Sequence, residues 1–570
     1  MSLHTSLTAG YECLAAWSDL LDRINVFPVA DSDTGTNLRI SLSPLLHSDK
    51  QPLQLRDRLA RAATGNSGNI AVAFFREFCH AAHGEELAKW ARQGRDKAYK
   101  AVADPRAGTM LSFFDALVET LLEHTVAQDF YPRVMKILQQ VVRDTTRNLA
   151  DLAQAGVVDS GALGMYVFFD GFFRHCTAYS QDSPSVIELF ADQLSINPAY
   201  TVASCEEHCV GAVIRTELSE TELKTQVVSL GESVVMMPLE QGFKVHIHSS
   251  TPEQLRSGLQ SIGTIEQWSD EQITQNGISS QSSEQRAAIH IVTDAAGSIA
   301  REIARQYGIS LLDSYIVTSN TSTPESLCCP DQLYSLMKNG GKVTTAQASN
   351  YERYQHYQSI CRQFGPSLYL SVGSAFTGNY STAMTWRKAN QNEEFTVLDT
   401  GAASGRLGLI ALLTAQLANQ GVVADKVISY AQSLSRECLE YVFIDELKYL
   451  VAGGRVSKAK GFFADLLHMK PIITPTAEGV RKLGVARNSD DQISFATKQL
   501  SLHFTSKDSP IILLQYTDNK SWVQGTVKDK IQNLYPYARI MEVPLSLTSG
   551  VHMGPGTWAL AVAPNFFADN

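Results

Sequence analysis

Apolar residues recur at three- and four-residue steps through most of residues 12–24 (ECLAAWSDLLDRI), 53–63 (LQLRDRLARAA), 70–82 (IAVAFFREFCHAA), 85–102, 109–124, 130–154 and 162–176 (ALGMYVFFDGFFRHC). That period predicts helix after helix, and an all-α bundle, up to about residue 178. After the polar stretch SQDSPS (180–185) the period changes to alternation. AVIRTEL (212–218), SVVMMPL (233–239) and FKVHIH (243–248) read as strands, with SETELKTQVV (219–228) as a short helix. NGISSQSSEQ (276–285) has no apolar period and reads as a linker. From residue 288 strands precede helices repeatedly: AIHIVTDAAGS before IAREIARQYG, SLYLSVG before TAMTWRKA, FTVLDTG before LGLIALLTAQLAN. Short apolar strands between helices predict a parallel sheet covered on both faces.

These changes of period divide the 570 residues into a helical domain (1–180), a small middle α/β domain (181–280) and a larger α/β domain (288–570). With 44% hydrophobic and 19% charged residues the composition is that of globular domains with ample cores. The net charge of −10 argues against a nucleic-acid or anionic-membrane surface while allowing a local cationic pocket. Nine scattered cysteines do not form a disulfide framework, so a reducing cytoplasm is the expected compartment. No basic stretch follows Met1, and GALGMYVFFDGFF (161–173) is too short to span a bilayer.

Four loops carry candidate phosphate chemistry. In NVFPVADSDTGTN (25–37), Asp31 and Asp33 stand two apart in a loop, a spacing at which both carboxylates can turn to one Mg²⁺; the plainer reading is a helix cap. TGNSGN (64–69), GTML (108–111) and DSGALG (159–164) each end at a helix start, where backbone N–H groups and the dipole favour an anion. Downstream, His246 and His248 share one face of the KVHIH strand, with Cys205 and Cys209 ahead of the domain's first strand. Two histidines and a cysteine suit zinc, and an alternating polar face of a half-exposed strand is the other reading. In the last domain VTDAAGS, VTTAQAS, VGSAFTGNY, VAGGRVSKAKG and SGVHMGPGTWALAV are strand-end loops, the usual ligand positions of an α/β sheet. GPGTWA lacks the strand, third glycine and acid of a dinucleotide fingerprint.

In order and approximate spacing, the four N-terminal motifs resemble the nucleotide-binding domain of the dihydroxyacetone kinase group, most closely the kinase subunit of bacterial fatty acid kinase. The resemblance implies an eight-helix barrel binding ATP with two Mg²⁺. Asp31 and Asp33 would be metal ligands with Thr36 and Asn37 beside them. Gly65, Asn66, Ser67 and Gly68 would lie at the phosphates, and Thr109 and the Asp159 loop nearer the nucleoside. Ser32 and Thr64 depart from the family's usual Gly and Arg. The middle segment resembles the middle domain of the same kinase, which makes Cys209, His246 and His248 implied ligands of a structural zinc. Residues 288–567 resemble the DegV family of fatty-acid-binding proteins, which implies Thr345 and Ser374 on the fatty acid carboxylate and Arg455 and His552 near it. Ala295, Ala296, Ala346 and TGN (377–379) depart from that family's pattern.

The expected reaction is ATP plus fatty acid giving ADP plus acyl phosphate, with an acyl-phosphate-using acyltransferase downstream and a homodimer as the assembly. A small-ketose kinase of the dihydroxyacetone type and a non-enzymatic lipid carrier or sensor are the competing readings.

Overall fold

The computed structural model describes residues 3–47, 52–124, 129–201, 207–273, 287–319, 321–452 and 469–565. The chain divides into two compact units, Met1–Ser282 and Ser283–Asn570.

The first unit opens with helices α1 (Leu3–Arg23), α2 (Thr34–Leu42), α3 (Pro52–Ala62), α4 (Gly65–Phe78), α5 (Leu87–Ala101), α6 (Met110–Glu123), α7 (Phe130–Asn148), α8 (Ala150–Ala155) and α9 (Ser160–Cys176). Packing passes from α1 to α2, α4, α5, α6, α7 and α9 and returns to α1, closing a barrel. Its interior is filled by the phenylalanines of FFREF and FFDGFF. Phe74 stacks on Phe114 with centroids 4.0 Å apart and on Phe78 at 5.3 Å, Phe75 and Phe169 meet it edge-on, and Phe168 and Phe172 pack against Phe75 and Phe78 in turn. Truncating one such ring to Ala costs about 3–5 kcal/mol. The single helix expected over 130–154 breaks at Leu149, whose extended backbone (φ −123°, ψ 131°) separates α7 from α8. The preceding Thr-Thr-Arg-Asn run has weak helix propensity, too weak to hold another turn.

A short helix α10 (Val186–Leu189) leads to the middle sheet, built from β1 (His208–Arg215), β2 (Glu232–Leu239), β3 (Gly242–Ser249) and β4 (Thr264–Gln272) with α11 (Glu220–Val228) and α12 (Pro252–Ile262). The strand order is β2-β3-β1-β4, with every pair antiparallel. Strand β4 departs from the sequence expectation, which has no strand there. TIEQWSDEQ is almost all exposed, so it has little apolar alternation to read. The proposed linker at 276–285 lies outside the described residues.

The second unit contains β5 (His290–Asp294), β6 (Ile309–Leu312), β7 (Tyr315–Val317), β8 (Ser322–Pro324), β9 (Thr344–Ala346), β10 (Ser367–Ser371), β11 (Phe395–Asp399), β12 (Leu439–Phe443), β13 (Lys470–Thr476), β14 (Gly479–Ala486), β15 (Ile511–Tyr516), β16 (Arg539–Pro544) and β17 (Trp558–Ala563). The expected parallel sheet is present as β11-β10-β5-β6. The remainder differs from that expectation: β14-β13-β12-β17-β15-β16 is mostly antiparallel, and β8-β7-β9 is a small antiparallel sheet. A buried strand reads as an apolar run whatever the direction of its neighbours, so the sequence pattern does not separate the two cases. The helix Ser404–Asn419 packs against strands of both large sheets, which is why LGLIALLTAQLAN is apolar almost all round.

Candidate functional site

The four N-terminal loops are joined by side-chain hydrogen bonds. Asn25 donates to Asp31 Oδ1 at 2.5 Å, and its Oδ1 accepts from Thr34 Oγ1 at 2.9 Å and Ser160 Oγ at 3.2 Å. This brings the 159–164 loop to the 25–37 loop. Ser160 also donates to Thr34 at 3.1 Å, while Asp159 accepts from Ala162 N at 2.7 Å and from the Met110 backbone, so the 108–111 loop is attached as well. The 64–69 loop is held by Thr64 N on Ser41 Oγ at 3.0 Å. Gly65, at φ +62°, packs so closely that an added Cβ would lie 1.9 Å from Asn37 Nδ2, so only glycine fits.

Asp31 and Asp33 lie side by side within this arrangement. Burial, and for Asp33 also the charge of Asp31, raises both carboxyl pKa values, Asp33 well above the ordinary range. Asp33 occupies the N-cap position of α2 without a side-chain cap bond, so the helix-cap reading of that residue does not hold. Like charges crowded together out of water are the donor set a hard cation relieves, and the pair fits Mg²⁺ on that count. A third carboxylate, Asp22, is buried beside them and acts electrostatically on both. Motif spacing does not single it out, although its position on the buried face of α1 next to the motif is a usable signal. Its two oxygens accept from Thr36 N at 2.9 Å and Thr36 Oγ1 at 2.8 Å, which engages Thr36 with Asp22.

The remaining residues named from the motifs divide. Asn37 bonds Asp33. Ser67 Oγ reaches Thr34 O at 3.5 Å, and Gly68 would clash with Ser41 Oγ if it carried a Cβ. Asn66 keeps a buried Oδ1 without a hydrogen-bond partner, and Thr64 caps α4 without a side-chain bond. Thr109 is itself a helix cap, accepting from Leu111 N and donating to Arg106 O.

In the middle sheet Cys209 pairs in register with His248, and His246 lies opposite Gly211. The Cys209 thiol and both imidazoles lie within 4.8 Å of one another, with His246 Nε2 3.1 Å from His248 Nε2. Both histidines are buried, and burial depresses them to about 3 and about 4, so both are neutral at pH 7. His248 Nδ1 is a buried nitrogen without a hydrogen bond. One sulfur and two neutral nitrogens fit zinc chemically. Burial and then the charges of Asp33 and Asp31 raise the Cys209 thiol, so this cluster lies near the aspartate pair. Sequence spacing carries no sign of that neighbourhood.

In the second unit Thr345 and Ser374 line one cavity of about 560 Å³ with Ser314, Ala346, Phe376 and Thr548 among its other walls. Thr345 Oγ1 is 3.2 Å from His552 Nε2. Arg455 lies outside the described residues. Two buried acids behind the cavity, which sequence reasoning misses, act as anchors. Asp294 accepts from Val372 N and Asn379 Nδ2, at the two ends of the 373–378 wall. Glu325 accepts from Thr548 N at 2.7 Å and Thr548 Oγ1 at 2.6 Å, fixing the start of the helix Leu547–Met553 that carries His552.

A helical barrel with clustered carboxylates and glycine-bearing loops at helix starts, a sheet with a Cys/His cluster, and an α/β domain with a pocket make this a multidomain protein. Family comparison agrees segment by segment. The DAK2 domain matches residues 28–174, the FakA-like middle domain of fatty acid kinase residues 205–277, and the DegV family, described as uncharacterised, residues 288–565. The chain therefore joins a DAK2 domain, a FakA-like middle domain and a DegV domain.

An uncharacterized protein of Staphylococcus haemolyticus, SH1689, is 27% identical over 295 residues, 45% of this chain and 52% of the relative. An uncharacterized protein of Staphylococcus epidermidis, SERP0792, is 24% identical over 55% of this chain and 65% of its own length. The chain thus spans about half to two thirds of these two relatives. A DegV domain-containing protein of Clostridium perfringens, CPE0026, is 22% identical over 47% of this chain and 95% of its own length. Among solved structures, a DegV family protein from Thermus thermophilus described as fatty acid binding aligns at TM-score 0.46 with 21% identity, covering 49% of this chain and all of its own. The Streptococcus pneumoniae Fak B3 protein loaded with linoleic acid aligns at TM-score 0.42 with 15% identity, over the same shares. No helix among the described residues is long and apolar enough to cross a membrane.

Proposed function

We propose that the chain is a fatty acid kinase that carries its own lipid-binding domain: it transfers the γ-phosphoryl of ATP to a fatty acid carboxylate, giving ADP and an acyl phosphate. The observation that carries this reading is the union, in one chain, of four loops hydrogen-bonded around Asp31 and Asp33 with a DegV domain whose cavity is lined by Thr345 and Ser374.

A fatty acid is already ionised at pH 7, so the acceptor oxygen needs no base. That oxygen attacks the γ-phosphorus, the bond to the β–γ bridging oxygen breaks, and the electron pair leaves with ADP. Asp31 and Asp33, with Asp22 behind them, would hold Mg²⁺, which when bound supplies charge neutralisation at the phosphates. The first turn of α4, from Gly65 to Gly68, offers backbone N–H groups to the phosphates. Thr109 and the Asp159 loop border the nucleoside side. Thr345 and Ser374 hold the carboxylate, and His552 orients Thr345. Cys209, His246 and His248 would hold zinc. The lipid domain is covalently attached, so its effective concentration at a kinase domain of the same chain reaches about the millimolar range where the geometry permits. A homodimer would let one copy's lipid domain serve the other's kinase. The product suits an acyltransferase that accepts acyl phosphates.

The test is hydroxylamine trapping of acyl phosphate from the purified chain with Mg-ATP and fatty acid, paired with native mass spectrometry for bound lipid. The parent chain should form the hydroxamate without an added carrier. The double variant Asp31→Asn/Asp33→Asn should lose turnover while keeping its lipid. Unchanged turnover in that variant removes the metal assignment, and lipid binding without turnover in the parent favours a carrier.

A further inference from the structure

The middle sheet grips the helical barrel at the ends of two helices. Lys244, on β3, sends its ammonium to Arg61 O at 3.2 Å and Ala60 O at 3.4 Å, at the C-terminus of α3. Lys224, on α11, donates to Lys100 O at 2.9 Å and Val102 O at 2.7 Å, at the C-terminus of α5. The last carbonyls of a helix have no intrahelical partner and carry the negative end of its dipole, so a lysine there both bonds them and complements their field. Each helix so capped leads directly into one of the four loops. From α3 the chain runs through Ala63 to Thr64 and Gly65, and from α5 it runs through Val102 and Ala103 to Gly108 and Thr109.

Two further contacts fix the same seam. Val102 bridges Val235 of β2 and Ala103 N donates to Val234 O at 3.0 Å, so the start of the Thr109 connection is paired to the sheet edge. In the reverse direction Arg76 of α4 donates to Pro238 O at 2.9 Å.

We propose that Lys244 and Lys224 are positioning residues for the nucleotide, through which the middle domain sets the Thr64–Gly68 and Gly108–Met110 loops of the barrel. This rests on reading those loops as the nucleotide site. Neither lysine needs to touch ATP. Each removes slack from the helix end that feeds a loop, so the loops are pre-organised before the nucleotide arrives.

The experiment uses the full chain. Mg-ATP binding is titrated calorimetrically in the parent, Lys244→Met, Lys224→Met and Lys224→Arg, and the Michaelis constant for ATP and the turnover number are read from hydroxylamine-trapped product. Each Met variant should weaken Mg-ATP binding about tenfold and raise KM by a similar factor with kcat within about twofold, and Lys224→Arg should restore binding. Amide exchange should quicken in peptides covering 60–68 for Lys244→Met and 101–110 for Lys224→Met. Should Lys244→Met not fold, Lys224→Met and Lys224→Gln carry the same test on the second loop. Met variants that fold and bind Mg-ATP like a binding-competent parent overturn the positioning role alone. A parent that fails to bind Mg-ATP overturns the nucleotide reading and this inference with it.

Discussion

Asp294 is a buried carboxylate engaged by four residues of the second unit, and removing it should cost more than removing its charged partner. It is 1% exposed and accepts from Tyr369 Oη at 2.9 Å on both oxygens, Val372 N at 2.8 Å, Asn379 Nδ2 at 2.8 Å and Arg353 Nη1 at 3.3 Å. Arg353 is 2% exposed and also donates to Asp313 O at 3.1 Å. Asp294→Ala leaves a guanidinium buried without its counter-charge and strips three neutral donors of their acceptor, an expected loss of about 3–5 kcal/mol. Arg353→Met leaves the carboxylate with those three donors, an expected loss of about 1–3 kcal/mol. Since Val372 and Asn379 bracket the 373–378 wall, Asp294→Ala should also weaken fatty acid retention. The measurement is peptide-resolved hydrogen exchange on the full chain, reading opening free energies in β5 and β10, with native mass spectrometry for bound lipid. If Arg353→Met destabilises those strands as much as Asp294→Ala, the view of the carboxylate as the centre of the network is wrong.

Two further outcomes follow from buried groups. Burial raises the Glu325 carboxyl from 4.5 to about 7, so the folded state binds its proton more tightly than the unfolded chain does. The associated stability is therefore present below about pH 4.5 and is lost as pH rises to 7, a change of about 3 kcal/mol. Denaturation of the second unit at pH 5 and pH 8 should show that loss in the parent and a flatter profile in Glu325→Gln, and parallel profiles would count against it. For the middle domain, the purified chain should carry about one equivalent of zinc by elemental analysis, with Cys209→Ser and His246→Ala each reducing it severalfold. Unchanged metal content in both variants would remove the ligand assignment.

Much of the candidate site was legible because its chemistry is local. The NVFPVADSDTGTN and TGNSGN segments announce their loops through glycine and aspartate spacing, and KVHIH places His246 and His248 on one face through the alternation of a strand. Asp22 was harder to read because an acid on the buried face of an amphipathic helix gains its meaning only from what packs against it. Asp294 and Glu325 were unreadable as anchors for a similar reason. Their partners Asn379 and Thr548 stand 85 and 223 residues away. The mixed sheet was missed because strand direction depends on connections between elements, whereas the apolar run of a buried strand does not.

The sequence alone therefore determined the order of the regions, the helical character of the first, the loops carrying Asp31, Asp33, Gly65 and Ser67, and the Thr345 and Ser374 loops. These follow from periodicities and turn residues that act within a few positions of one another. Tertiary structure decided that Asn25, Thr34 and Ser160 stitch the loops together, that Cys209 lies near the aspartate pair, and that two lysines of the middle domain cap the helices leading into the loops. Such contacts join residues up to 184 positions apart, and the entropy of closing those loops is offset only by the packing of whole elements, which no local pattern records.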